Sequence, residues 1–385
     1  MVERVAIVGG GIMGLAQAWS AAERGHRVTI FERMPLARGA SIRNFGMVWP
    51  IGQPENLRDM ALLSRARWLQ VAAEAGIWCN PYGSLHLAHH PDEQAVLQEY
   101  LELQAGSAWG EHLQWLDRET ALDRYSVIQP EGFLGAMHSD LEICVNPTAA
   151  TRRLPIWLQE RYGVELRFGQ TVVEVGVGSL KTANGEQHGF DRTIICSGDD
   201  LETLFPEYYA QLPLKKCKLH MLRTRAQAGG WQLGAHIASG LTLRHYSSFR
   251  ICSSLSAVVE RIATESPELD EFGIHVMASQ DDLGRVVLGD SHEYDERIEP
   301  FDSERINELI LRELHKIIRL PDWQMDSRWH GIYAKIPDGG PIVCSPEMSV
   351  FIATGLGGAG MTMSFGVAET QWRHWSGDGP AVSQR

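Results

Sequence analysis

The residues with the clearest chemical potential stand at the start of the chain. Gly9-Gly10-Gly11-Ile12-Met13-Gly14 follows the short β-branched run Val5-Ala6-Ile7-Val8, and an acid, Glu32, stands 18 residues beyond Gly14. Glycines spaced as Gly9, Gly11 and Gly14 permit a tight turn, let the backbone approach a pyrophosphate, and let a helix pack close to a strand. Leu15 to Arg24 reads as that helix. Gly25 reads as its stop, and Arg27-Val28-Thr29-Ile30-Phe31 as a second strand ending at Glu32. The helix N-terminus, with Ile12 and Met13 in the turn just ahead of it, offers free N–H groups and a positive dipole end to phosphates. A carboxylate at Glu32 accepts both ribose hydroxyls, which suits FAD or NAD and disfavours NADP. Arg4 and the apolar run after it loosely imitate a signal peptide, but a disposable leader does not run into a strand–turn–helix–strand unit.

A second glycine-rich unit closes the chain. Val350-Phe351-Ile352-Ala353-Thr354 reads as a strand, followed by Gly355-Leu356-Gly357-Gly358-Ala359-Gly360-Met361-Thr362 and a helix to about residue 375. Two strand–glycine–helix units at opposite ends imply one nucleotide-binding domain built from both termini, with a second domain inserted. The fold class is therefore α/β, or α+β overall: a Rossmann-like domain with an inserted substrate domain on a mixed or antiparallel sheet. The expected division gives 1–82, 141–210 and 325–385 to the nucleotide domain and 83–140 and 211–324 to the substrate domain.

Helices are expected over 56–76, 91–106, 147–162 and 302–319. Residues 212–225, 241–252, 273–279 and 285–291 read as strands of the antiparallel sheet. Thr193-Ile194-Ile195-Cys196 reads as a buried strand closed by Ser197-Gly198. The last ten residues, rich in Gly, Pro and Ser, read as a frayed end.

Composition narrows the rest. The chain has 385 residues, 44% of them hydrophobic and 22% charged, as in an ordinary globular protein with two or three domains. Its 48 acids against 35 Lys and Arg give a formal charge of −13, which argues against a nucleic-acid or anionic-membrane partner. Any anion must meet a local cluster of cations. The six cysteines form no CxxC pair, so reduced thiols are expected and no metal site is read. No apolar run is long enough to span a membrane, and a cytoplasmic location is the default.

The N-terminal fingerprint, the Gly39–Met47 loop, the Ser197-Gly198 strand end and the Gly355 loop together resemble the D-amino-acid oxidase-like flavoproteins, which include the glycine and sarcosine oxidases. The resemblance covers nearly the whole chain and is most specific at its ends. It implies FAD, with the flavin ring between the two domains. Gly9, Gly11 and Gly14 would hold the pyrophosphate and Glu32 the ribose. Arg33 would flank the adenine, and Val173 would present backbone to it. Ser41, Asn44, Phe45, Gly46 and Met47 would lie along the ribityl chain and ring, with Ser197 and Gly198 also lining the cofactor. The turn from Gly355 through Gly357, Gly358, Ala359, Gly360, Met361 and Thr362 would aim a helix N-terminus at the flavin's pyrimidine end. A helix terminus there stabilises the anionic reduced ring.

The departures from the family matter as much. Tyr333-Ala334-Lys335-Ile336-Pro337-Asp338 matches a stretch of sarcosine oxidase, but Gly331 stands where that enzyme has its flavin-linking cysteine, which implies non-covalent FAD. The substrate-carboxylate lysine of that enzyme falls on Thr362, and the corresponding arginine of glycine oxidase falls near Tyr333. Both usual carboxylate anchors are absent. Arg43, Arg244-His245-Tyr246, Tyr333 and Lys335 are the groups left to hold a substrate. Cations with hydroxyl donors suit a dianionic tetrahedral group better than a carboxylate. The bland alternatives are a surface pair at Arg244-His245 and a solvated loop charge at Lys335.

The stretch Ser41 to Pro50 resembles a subgroup associated with phosphonate breakdown. That implies oxidation of 2-aminoethylphosphonate or its N-methyl form, with hydride transfer to flavin N5 and an imine that hydrolyses to phosphonoacetaldehyde. Oxygen or another electron carrier is the acceptor, and no catalytic acid or base is singled out. The competing readings are a sarcosine, glycine or D-amino-acid oxidase with a rearranged carboxylate site, a flavin-binding redox sensor without turnover, and an NAD enzyme using the same fingerprint.

Overall fold

A computed structural model describes residues 1–295, 298–337, 340–379 and Val382. Asp338 and most of the final six residues, which the sequence reading touched, lie outside the described residues.

The chain opens with the strand Arg4–Val8, the helix Ile12–Glu23 and the strand Arg27–Glu32. Residues Val5 to Ile7 and nearly all of the helix are buried, because this unit lies in the middle of a six-stranded sheet. Across that sheet run Ile342–Glu347, Val350–Thr354, Arg192–Ile195, Arg4–Val8, Arg27–Glu32 and Glu165–Phe168. Only the first pair is antiparallel. The C-terminal helix Gly360–Trp375 packs beside Ile12–Glu23 and the long helix Glu55–Ala75. Trp19, Trp68, Phe365 and Trp372 fill the space between these helices. Both termini thus build one nucleotide-binding layer.

The second layer is a nine-stranded mixed sheet. Its pairings are antiparallel except where His236–Ala238 runs beside Ser84–Ala88. The amphipathic helix Glu304–Ile317 buries Ile306, Leu309, Ile310 and Leu314 against the core of this layer.

The strand Met325–Lys335, at the start of the range 325–385 expected for the nucleotide domain, pairs antiparallel with Lys215–Ala226 in the large sheet. The crossing between layers therefore falls after Lys335. One expectation is corrected here. Residues 241–252 are not a strand but two 3₁₀ turns, Gly240–Thr242 and Ser247–Ile251. The Thr242 hydroxyl donates to the Ser239 carbonyl at 2.6 Å, and the Thr242 N–H donates to the same carbonyl. Such local bonds offer the backbone an alternative to a sheet ladder. The helix Leu255–Glu265 was not foreseen.

Candidate active site

The turn after the first strand is shaped for backbone approach. Gly9 has φ +113°, and a Cβ there would lie 2.2 Å from the Cys196 carbonyl oxygen. A Cβ on Gly14 would lie 1.9 Å from the Gly9 carbonyl oxygen. Neither position accepts a side chain without moving backbone. Gly11 caps the helix and contributes no side-chain bond, while Ser41 Oγ accepts from the Ile12 N–H at 2.9 Å. Glu32 closes the turn from the other side. Its Oε2 accepts from the Gly10 N–H at 2.7 Å and its Oε1 from the Met34 N–H at 2.9 Å. Each oxygen keeps a lone pair for another donor.

Around this turn lies a cavity of about 590 Å³. Gly9, Gly11, Ile12, Met13, Glu32, Arg33, Ser41, Ser197 and Gly198 line it, with Gly355, Gly357 and Gly360 from the C-terminal loop. Arg33 pairs with Asp200 at 2.7 Å on the rim. Gly14 lines no part of the cavity because it carries the helix–strand contact instead. Val173 is exposed and outside the wall, and Val172 stands there in its place.

A second cavity of about 620 Å³ adjoins the first and shares Ile12, Ser41, Arg43, Tyr333, Gly355 and Gly357 with it. Asn44, Phe45, Met47 and the loop from Gly358 to Thr362 form one side. Gly46 lies behind this side, with φ +74° and the Val145 carbonyl where a Cβ would go. Asn44 fixes the loop: its Nδ2 donates to the Ala40 carbonyl and its Oδ1 accepts from the Gly46 N–H. Lys335 pairs through its backbone with Leu356, which pins the glycine loop to the large sheet. The Thr362 hydroxyl accepts from the Trp49 N–H at 2.9 Å, so it is occupied by the backbone.

Tyr333, Lys335, His245 and Tyr246 also line it, with the Tyr333 hydroxyl and the Lys335 stem packed against Gly358 and Gly357. Lys335 Nζ donates to the Tyr294 hydroxyl at 3.1 Å, and Arg43 Nη1 donates to the His330 carbonyl at 3.3 Å. Neither cation has a carboxylate partner among the described residues. Arg244 is different. It lies outside the cavity wall, pairs with Asp270 and donates to the Ile274 carbonyl at 3.1 Å. Its charge is matched by Asp270.

Among the cavity residues that the sequence reading did not name are His275, Asp290 and His292. His275 and His292 stack with His245 at centroid distances of 3.8 and 4.4 Å. His275 Nε2 is 3.1 Å from Asp290 Oδ1, but the pair is not aligned for a hydrogen bond. The Tyr333 hydroxyl lies 3.0 Å from His292 Nε2. Burial, then the neighbouring imidazoles and cations, holds His245 and His275 well below the ordinary histidine range. Burial followed by Lys335 brings His292 to about 3. Burial pushes Asp290 well above the usual carboxyl range, although Lys335 opposes it. No helix among the described residues is long and apolar enough to cross a membrane.

The paired cavities fit an elongated dinucleotide: a glycine turn and carboxylate at one end, and a wider chamber facing a helix N-terminus at the other. The family comparison agrees. The model of the family described as FAD dependent oxidoreductase matches residues 4–370, and the chain belongs to that family. It is an FAD-dependent oxidoreductase. The chain is 25% identical over 355 residues to one of the subunits of opine oxidase from Rhizobium meliloti, covering 89% of this chain and 84% of that one. It is 34% identical to glycine oxidase of Geobacillus kaustophilus over 143 residues, a match that spans 35% of this chain and only 37% of that relative. Among solved structures, glycine oxidase from Bacillus cereus ATCC 14579 superposes with a TM-score of 0.77 at 19% identity, covering 98% of each chain.

Proposed function

We propose that the protein oxidises a small anionic amine, with 2-aminoethylphosphonate or its N-methyl derivative as the favoured substrate. The observation that carries this reading is the pair Arg43 and Lys335, two cations that line the same cavity without carboxylate partners among the described residues. Two such cations suit a tetrahedral dianion. The position that holds the carboxylate-binding lysine in sarcosine oxidase is Thr362, whose hydroxyl is engaged by backbone.

FAD, when bound, supplies the hydride acceptor. Gly9, Gly11 and Glu32 would hold its pyrophosphate and ribose, and Gly331 would leave it without a covalent link. Asn44, Met47 and the Gly358–Thr362 turn would pack along the ring. The chain's own part in the oxidation is to orient the amine-bearing carbon toward the ring and exclude water. The oxidised substrate is an imine, which water converts to phosphonoacetaldehyde with loss of ammonia or methylamine.

Anaerobic addition of N-methyl-2-aminoethylphosphonate to the purified holoenzyme is the test, with sarcosine and glycine in parallel. Bleaching of the visible flavin band by the phosphonate alone supports the reading. Bleaching by sarcosine or glycine alone removes it. In that case the second reading, an amino-acid or secondary-amine oxidoreductase, stands, supported by relatives named glycine oxidase and opine oxidase.

A further inference from the structure

The lining of the second cavity that includes Lys335 also includes three imidazoles. His245 comes from the turn after Gly240, His275 from the approach to the strand Met277–Gln280, and His292 from the segment after Arg285–Gly289. The His275 and His292 rings lie 4.9 Å apart at an interplanar angle of 16°, and His245 stacks on both. His275 is 3% exposed and His292 5%.

The contacts sort the nitrogens. His292 Nδ1 faces the Gly273 carbonyl at 3.3 Å, and a carbonyl only accepts. His292 is therefore the Nδ1–H tautomer, and its Nε2 accepts from the Tyr333 hydroxyl. Among the described residues, His275 makes no hydrogen bond through either nitrogen. A buried imidazole with two unpartnered nitrogens in a cavity wall calls for a ligand or a function.

Bringing three imidazoles together suggests a metal, and their nitrogens lie within 4.8 Å of one another. The rings, however, stack face to face. A cation needs lone pairs converging on a point about 2.0–2.1 Å from each nitrogen, which parallel rings do not provide.

The charged and titratable groups around the cluster are few. Lys335 lines the same wall, and Arg244 is matched by Asp270. Asp290 faces His275. The hydroxyls of Tyr246, Tyr294 and Tyr333 and the thiol of Cys217 are all pushed upward, first by burial. The three imidazoles are held neutral by burial and by one another. They meet the substrate neutral, each with a nitrogen lone pair, and burial keeps them weak bases until an anionic group enters the cavity beside Lys335.

An aliphatic amine reaches the enzyme mostly as ammonium, with a pKa of about 10. It needs its lone pair before the carbon beside it can lose a hydride. We propose that His275, within the stacked cluster and beside Asp290, accepts the proton that the substrate ammonium must lose. One N–H bond of the ammonium breaks, its electron pair stays on the amine, and a new N–H bond forms on an imidazole nitrogen of His275. The positive charge left on the wall is offset by the anionic group that the same substrate brings to Lys335. This inference rests on the cavity being the amine site.

The experiment uses holoenzyme labelled with ¹³C and ¹⁵N in histidine. The probes are (2-amino-2-methylpropyl)phosphonate and 2-amino-2-methylpropanoate, whose amine-bearing carbons carry no hydrogen and cannot be oxidised. At pH 7 the free enzyme is expected to show the three cluster imidazoles neutral. Saturation with either probe converts one to imidazolium, and His275→Gln or His275→Asn, whichever retains FAD, lacks that signal. In the same variant, anaerobic flavin reduction by an oxidisable amine slows about 10²- to 10⁴-fold at pH 7 and recovers in part above pH 9, where free amine is plentiful. If a probe perturbs the flavin band while all three imidazoles stay neutral, the proton-acceptor role falls and the amine site stands. If neither probe perturbs the flavin, the cavity is not the amine site and both fall. Displacement of the cluster signals by Zn²⁺ alone at micromolar concentration overturns the role in favour of a metal site.

Discussion

The Tyr333 hydroxyl donates to His292 Nε2 across 3.0 Å, and the same hydroxyl lies 3.5 Å from where a Cβ on Gly358 would sit. One phenol thus joins the imidazole cluster to the glycine loop at the head of the C-terminal helix. Tyr333→Phe keeps the ring that fills the wall and deletes only the donor. Loss of one such bond is worth about 0.5–1.5 kcal/mol. The variant is expected to retain FAD and to be less stable by that amount in urea unfolding, and unchanged stability would mean that the phenol does not tie the cluster to the loop.

Lys335 and Arg43 carry the anion reading, so their removal tests it directly. Charge-assisted hydrogen bonds contribute about 1.5–3 kcal/mol each. Lys335→Met and Arg43→Met are each expected to raise KM for an aminophosphonate by about 10- to 150-fold while FAD remains bound. KM values within twofold of wild type in both variants would remove the dianion site from this wall.

Much of this fold is legible from local pattern. Val5 to Glu32 carries its strand, turn, helix and acid in 28 consecutive residues, and each glycine there answers to a steric demand that is visible in the structure. The strand Met325–Lys335 pairs with Lys215–Ala226 across 110 residues of chain, a partnership that local pattern does not name. Thr242 turned an expected strand into 3₁₀ structure through a bond to Ser239 that no periodicity reveals. The imidazole cluster was invisible for a related reason. His245, His275 and His292 are separated by 30 and 17 residues, and only the ladder that sets Met277–Gln280 beside Arg285–Gly289 brings the last two level. The one available hint was a histidine at the margin of each apolar strand run.

Glu369 joins the two terminal units. It lies on the C-terminal helix and pairs with Arg24 at 2.9 Å, just past the end of the first helix, and with Arg373 at 2.9 Å. Burial favours the neutral acid, but the hydrogen bonds and charge of Arg24, helped by Arg373 and Arg67, outweigh it and hold the carboxyl at about 2. A carboxyl depressed on folding stabilises the native state above its unfolded pKa, near 4.5, and loses that contribution as pH falls toward 2. Glu369→Gln is expected to cost about 1–3 kcal/mol at pH 7. In urea unfolding, the gap between wild type and variant should close between pH 4.5 and 2. A gap independent of pH would mean that packing, not charge, is what the variant loses.

Gly331 bears on how the cofactor is held. It sits in the cavity wall on the strand Met325–Lys335, opposite Leu219 in the ladder, and a Cβ there would meet the Arg43 carbonyl oxygen at 3.2 Å and Arg43 Cβ at 3.4 Å. The space is tight but not closed, and glycine offers no nucleophile. All of the flavin is therefore expected to pass into the supernatant when the holoenzyme is precipitated with trichloroacetic acid, and none should migrate with the polypeptide on a denaturing gel viewed under ultraviolet light. Retention then rests on the glycine turn and Glu32. A Cβ on Gly14 would displace the Gly9 carbonyl, a backbone atom that cannot swing aside. Gly14→Ala should yield protein that is colourless or insoluble, whereas Glu32→Gln should fold and bind FAD about 10-fold more weakly, as expected for loss of a charged hydrogen-bond acceptor. Fluorescence quenching during reconstitution of the apoprotein measures both. Flavin that stays on the chain after acid would mean a covalent link at some other residue and would shift the cofactor's anchorage away from the turn.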